Sequence, residues 1–192
     1  MPNVTTVPAA EAERALAVIV RAFEDDPMTG WSFPSAQEYQ EYFPAILRAV
    51  GGRAFLHGTA HEVDGYAGAA LWLPPGIEPD HEALHALFAT DEPTPRQREI
   101  ASVFEQMAGY HPAGPHWFLP FIGVDPMHQH KGYGSMLLQH ALAQCDQDHL
   151  PAYLESSNVA NITLYRRHGF DVLGTIQVGS SPVVTPMLRA AR

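Results

Sequence analysis

One stretch constrains this chain more than any other: Ile122-Gly123-Val124-Asp125-Pro126-Met127-His128-Gln129-His130-Lys131-Gly132-Tyr133-Gly134-Ser135. Before it runs an apolar segment, Trp117 to Val124, that reads as a strand with Pro120 as a local irregularity. After it comes Gly132 to Asp146, where Leu137, Leu138, Ala141, Leu142 and Cys145 fall on one helical face. A second strand follows at Ala152 to Glu155. Strand, helix and strand in that order make a crossover, which joins parallel strands and is right-handed in nearly all folds. Gly132 and Gly134 lack a Cβ, so an anion can come close to the main chain there. The free N–H groups and dipole of the following helix favour phosphate, and His128, His130 and Lys131 add positive charge. The natural guest is a pyrophosphate, although ordinary turns also place a glycine pair before a helix. The stretch is neither a P-loop, since no Gly-Lys-Ser/Thr ends it at the required spacing, nor a dinucleotide fingerprint, since Leu137 stands where that needs glycine or alanine.

The remaining elements are read from periodicity and punctuation. Val4 to Val7 is β-prone. Ala9 to Phe23 carries Leu16, Ile19, Val20 and Phe23 at helical spacing and is stopped by Asp25-Asp26-Pro27. A helix from Ser35 to Val50 opens with Ser35 and Glu38 in capping-box positions and contains Pro44. Ala54 to His57 reads as a strand, Asp64-Gly65 as a hairpin turn, and Gly68 to Leu73 as a strand ended by Pro74-Pro75-Gly76. Helices are expected at Asp80 to Phe88 and Arg96 to Met107, and again at Ala160 to His168 with Gly169 at its end. Closing strands are expected at Phe170 to Val178 and Val183 to Leu188. The pattern predicts an α+β fold, a mixed, mostly antiparallel twisted sheet flanked by helices and splayed near Val124. No linker divides it, so residues 1–192 read as one domain.

Composition narrows the function classes. A net charge of −10 opposes a polyanionic partner such as duplex DNA. With a single cysteine, Cys145, no internal disulfide can form. No apolar window is long enough to span a bilayer, and the first residues lack a signal-peptide pattern, so the chain reads as cytoplasmic, without membrane or nucleic-acid partners.

The loop resembles the acyl-CoA loop of the GCN5-related N-acetyltransferase (GNAT) superfamily, whose pattern Gln/Arg-x-x-Gly-x-Gly/Ala is filled by Gln129, Gly132 and Gly134. A second signature of that superfamily is similar to Tyr153-Leu154-Glu155-Ser156-Ser157-Asn158-Val159-Ala160-Asn161-Ile162-Thr163-Leu164-Tyr165-Arg166-Arg167-His168-Gly169-Phe170. The two occur in the superfamily's order and cover about the C-terminal 40% of the chain. Within the superfamily the segment loosely resembles the branch that includes puromycin N-acetyltransferases. The resemblance implies an acyl-CoA N-acyltransferase fold, acetyl-CoA as cosubstrate without a metal, and direct transfer of acetyl to a primary amine of a small molecule. A non-catalytic acyl-CoA-binding module, or acetylation of a protein amine, are the rivals. C-terminal strands of such folds often mediate pairing into homodimers.

The resemblance also implies site residues. Gln129, His130, Lys131, Gly132, Tyr133, Gly134 and Ser135 would hold the pyrophosphate. The strand residues Ile122, Gly123 and Val124 would pair with the pantetheine arm, and Asn161 would bond it. A backbone N–H near Phe121 or Ile122 would face the thioester oxygen. Tyr165 would be the general acid, though the residue alone also reads as a packed helix tyrosine. Glu155 is the first choice of general base, with His116 or a water relay as substitutes, and reads equally as an ion-paired carboxylate. Read from the residues themselves rather than from the resemblance, acidic and aromatic groups suit a cationic amine, so Asp26, Trp31, Trp72 and Phe121 would receive it, the aromatics by cation–π contact. Solvated acids and packed tryptophans are the plainer alternative. His81 and His85 have metal-pair spacing without a third ligand, and read as exposed histidines. Cys145 lies on an apolar helix face and reads as packing.

Overall fold

The computed structural model describes residues 2–192. Seven strands form one sheet: β1 (Val4–Thr6), β2 (Ala60–Val63), β3 (Gly68–Leu73), β4 (Trp117–Val124), β5 (Ala152–Ser156), β6 (Asp171–Val172) and β7 (Thr185–Arg189), in the order β1-β2-β3-β4-β5-β7-β6. Only β4 and β5 run parallel; every other neighbouring pair is antiparallel. The parallel pair is joined by α7 (Tyr133–Gln147), which makes the expected crossover. The architecture is the α+β one that the sequence predicts.

The sheet has two covered faces. Ala12–Ala22 (α1), Ala36–Gly51 (α3) and Arg53–His57 (α4) lie over one, where Leu16, Ile19, Phe43, Leu47, Leu71 and Tyr153 are buried together. Helices α7 and α8 (Ile162–Arg167) cover the other with Leu137, Leu138, Leu154, Tyr165 and Phe170. A third, smaller cluster lies where α6 (Pro95–Ala108) sets Val103 against Ile176 and Val184. The close seat of α1 on β4 depends on Gly123. A Cβ there would come within 2.7 Å of the Ala22 Cβ, so any side chain would push the helix off the sheet.

Local signals account for most boundaries. Ser35 and Glu38 form the expected capping box at α3, and Pro44 sits inside that helix. An interior proline costs about 3 kcal/mol; burial of the flanking Phe43 and Leu47 at 3% and 0% exposure offsets it. The Asp64-Gly65 turn joins β2 and β3 with both residues at positive φ, as a tight hairpin turn demands.

Three expectations are corrected. Ala54 to His57 is the helix α4, not a strand. Only Ala54 of the four is buried while Leu56 is 78% exposed, and Gly58 ends the turn at φ 67°. The strand of that hairpin is β2, six residues further on. Asp25-Asp26-Pro27 stops α1 but also starts an unpredicted helix, α2 (Pro27–Ser32), because Asp26 caps it through its side chain and Pro27 sits at its first position. The closing strands shrink to β6 and β7, with one further bridge between Ile176 and Val184. The remaining helix, α5 (His81–Phe88), precedes α6. Among the described residues no helix is long and apolar enough to cross a membrane.

Candidate active site

The site begins with an interruption in β4. Its C-terminal half pairs with β3 from Leu71↔Phe121 to Gly68↔Val124, yet the register then shifts so that Leu73 meets Phe118. The extra residue lies at Leu119-Pro120, a bulge in which proline offers no N–H to a ladder. On its other side β4 pairs with β5 only through Trp117↔Ala152, Phe118↔Tyr153 and Leu119↔Leu154. From Pro120 onward the two strands part. The separation therefore starts at Pro120 rather than near Val124, and it leaves the β5-facing main chain of Phe121 to Val124 without a strand partner.

A cleft of about 870 Å³ opens at this gap. One end is made of main chain. Gly132 caps α7 at φ 85°, a left-handed conformation suited to glycine, and no side chain takes the first N–H groups of the helix. Gln129, His130, Gly132, Tyr133, Gly134 and Ser135 all line the cleft, as do Ile122, Gly123, Val124 and Asn161. The ring of Tyr133 is packed in the core and its hydroxyl donates to Asp64. Lys131 does not join the wall; its Nζ lies 3.3 Å from His128 Nδ1 on the outer side of the loop. Cationic groups come instead from Arg21 and Arg167, neither of them expected from the sequence. Arg21 also ties α1 to the loop through a 2.8 Å bond from its Nε to Asp125 Oδ2. His168 lines the same end, with Nε2 2.8 Å from Ser135 Oγ.

Tyr165 and Glu155 reach the gap from opposite faces of the sheet. Tyr165 belongs to the α7 face, 6% exposed, with its ring edge-on to Phe170 at 6.2 Å. Burial, reinforced by the Asp26 charge, pushes its phenol pKa well above the ordinary value, so it stays protonated. Glu155 shares a face with Tyr153, two residues away on β5 and packed against the α1–α3 side. Its side chain is 6% exposed. Its Oε1 accepts a 2.9 Å bond from the Tyr153 hydroxyl and lies 3.3 Å from His111 Nε2. Burial, with the Glu155 charge second, raises the Tyr153 phenol, which keeps it a donor to that carboxylate. His111 is the neighbour that sequence reasoning missed: it lies in the loop after α6, and no spacing connects it to β5. His116, named as a substitute base, sits behind it, 5.6 Å between ring centroids.

The acceptor-side expectations divide. Asp26 and Phe121 line the cleft. Asp26 is heavily engaged: Oδ1 accepts from the backbone N–H groups of Met28 and Thr29 at 2.9 and 3.2 Å, and Oδ2 accepts from Ser157 Oγ at 2.6 Å. Burial raises its carboxyl pKa. Trp31 is outside the wall; its indole N–H donates 3.0 Å to Ser180 Oγ. Trp72 is fully buried beneath α7 and cannot meet a ligand in the cleft. Every residue of β3 is buried, so no alternation distinguishes a cleft face from a core face there. Cys145 is buried with its thiol pushed up to about 12 by burial, which makes it inert as a nucleophile. His81 and His85 are exposed on α5.

Known proteins of this shape exist. An uncharacterised N-acetyltransferase of Schizosaccharomyces pombe is 27% identical over 183 residues, spanning 85% of this chain and 72% of that one. The structure of a histone acetyltransferase HPA2 and related acetyltransferase from Corynebacterium glutamicum superposes with a TM-score of 0.74 at 23% identity, covering 100% and 97% of the two chains. A Drosophila melanogaster polyamine N-acetyltransferase that forms N-acetylagmatine gives 0.71 at 15%, over 99% and 100%. These likenesses establish the fold. A sequence profile described as the Acetyltransferase (GNAT) family matches residues 19–170, most of the 192. This profile takes in the end of α1, the interrupted β4, the glycine loop and α8, and on it the chain belongs to the acetyltransferase (GNAT) family and is an acyltransferase.

Proposed function

We propose that this protein transfers acetyl from acetyl-CoA directly to the primary amine of a small molecule. One observation carries the reading: the unpaired main chain of β4, the uncapped end of α7, Tyr165 and Glu155 share one cleft. Acetyl-CoA fits the two main-chain features. Backbone N–H groups from Gly132 to Ser135, with Gln129, His130 and Arg167 nearby, suit a pyrophosphate. The free edge of Ile122, Gly123 and Val124 suits the amides of the pantetheine arm, and Asn161 can bond the same arm.

Glu155 takes the proton of the incoming ammonium, and His111 passes it outward to His116 and solvent. The freed amine forms a bond to the thioester carbon. A main-chain N–H near Phe121 or Ile122 meets the oxygen that becomes negative; a fixed donor of this kind contributes about 3–4 kcal/mol. As the carbon–sulfur bond breaks, Tyr165 donates its phenolic proton to the departing thiolate, the nitrogen gives its second proton to Glu155, by then emptied through His111, and the phenolate regains a proton from solvent. The general base and acid thus work from the two sides of the gap, each beside the atom it serves.

The test is calorimetric titration with acetyl-CoA, free CoA and ATP, followed by thiol-release assays with amines. Micromolar binding of both CoA species but not ATP, with amine-dependent thiol release, is the expected outcome. Failure to bind either CoA species would overturn the reading.

A further inference from the structure

The acceptor half of the cleft differs in chemistry from the rest. It is built by α2, α3 and α6 against β4, and its wall includes Met28, Phe43, Phe88, Phe104, Met107 and Phe121. Part of this wall is rigid. The Phe43 and Phe121 rings meet edge-on at 6.1 Å and 88°, and Phe23 braces both, at 5.5 Å from Phe43 and 5.9 Å from Phe121. Aromatic rings locked by one another present a preformed apolar surface. Phe88 and Phe104 also line an adjoining cavity of about 470 Å³ between α5 and α6, so the apolar lining continues beyond the cleft.

Negative charge in the same cleft is sparse. Asp25, Asp26 and Glu155 are its carboxylates. Asp26 already accepts three hydrogen bonds through both oxygens. Asp25 is exposed at the rim. Glu155 stands on the acceptor face beside the gap, with only Oε1 engaged. The pattern offers one interior place for an ammonium and, beyond it, a surface on which a second ammonium would lose its hydration without a partner.

We infer that the acceptor is a monoamine with an aromatic or bulky aliphatic body, and not a diamine or polyamine. This rests on the acetyl-transfer reading above. The ammonium lies at Glu155 and the body lies on the Phe43–Phe121 wall beneath α6. The overall charge of −10 attracts every cationic amine, a dication more than a monocation, so rejection of the diamine falls to the apolar wall.

The experiment compares kcat/KM, with acetyl-CoA as donor, for 2-phenylethylamine, ethylamine and putrescine. Binding of the same amines to the protein–CoA complex is measured by calorimetry, so that slow turnover does not obscure preference. 2-Phenylethylamine should exceed both others by about 100-fold. Phe104→Asp, at a position 42% exposed and so safe for folding, should shrink that margin about tenfold through the amine KM, leave the acetyl-CoA KM unchanged, and be rescued by Phe104→Leu. Putrescine equal to or better than 2-phenylethylamine, in turnover or in binding, overturns the inference while acetyl transfer stands. So does an unaltered margin in Phe104→Asp. Absence of acetyl-CoA binding, or binding with no amine-dependent thiol release, removes both readings together.

Discussion

The two ends of the cleft are built from different materials. The end toward α7 is main chain: a glycine-capped helix terminus and a strand edge released by Pro120. The end toward α6 is side chain: phenylalanines and methionines from helices far apart in sequence, with one carboxylate beside the gap. Main-chain recognition asks the sequence for glycines, a proline and a fixed order of elements. Side-chain recognition asks only for apolar residues, and every core helix supplies those. One end can thus hold a constant ligand while the other is free to be respecialised.

Substitutions can break this contrast, and the largest effect should fall on the main-chain end. Gly134 has room for a Cβ, whose nearest neighbour would be Leu164 Cδ2 at 3.4 Å. Gly134→Glu should therefore fold but place a carboxylate where a phosphate belongs, and calorimetry should find acetyl-CoA binding abolished. Retained affinity would mean that the loop is not the pyrophosphate site. Next, Tyr165→Phe should lower kcat by about 100- to 1000-fold with little change in CoA affinity, as expected for loss of a general acid. Turnover like that of the wild type would remove Tyr165 from that role.

The smallest effect sharpens the comparison by lying outside both ends. His61, 8% exposed beneath α7 and 4.6 Å from the His140 ring, has its pKa lowered to about 4, chiefly by burial. The unfolded chain takes up that proton near pH 6.5 and the folded chain only near 4. Stability should thus fall as pH drops through that window, by at most about 3 kcal/mol. His61→Leu should flatten that part of a denaturant-midpoint-versus-pH curve and leave kinetics at neutral pH alone. An unchanged slope would assign acid sensitivity to other groups.

The same division governs what was legible in the sequence. The crossover, the glycine loop, the capping box at Ser35 and Glu38 and the Asp64-Gly65 turn are written in local chemistry, and each stands where the sequence puts it. Helix α4 was not legible, because Ala54 to His57 is too short for its exposed Leu56 to reveal a period. The α2 cap was hidden in residues that equally spell a helix stop. Trp72 reads as a cleft residue on its aromatic character and Trp31 on the acids just before it, but whether a tryptophan packs or lines depends on neighbours contributed by α7 and by Ser180. His111 was invisible for the same reason: its link to Glu155 spans more than forty residues and exists only once β5 lies beside the loop after α6.

The parting of β4 from β5 also bears on how the molecule avoids sticking to itself. Exposed strand edges act as templates on which other chains stack, and proteins usually blunt them with charge or brevity. Here the unsatisfied edge is not on the rim. It lies in the middle of seven strands, headed by a proline and walled by β5 on the far side. A foreign polypeptide would have to thread a slot to reach it, whereas a slender linear molecule can slide in from the end. The fold thus keeps a row of pairing groups open to a slender ligand such as the proposed pantetheine arm, while denying them to aggregation.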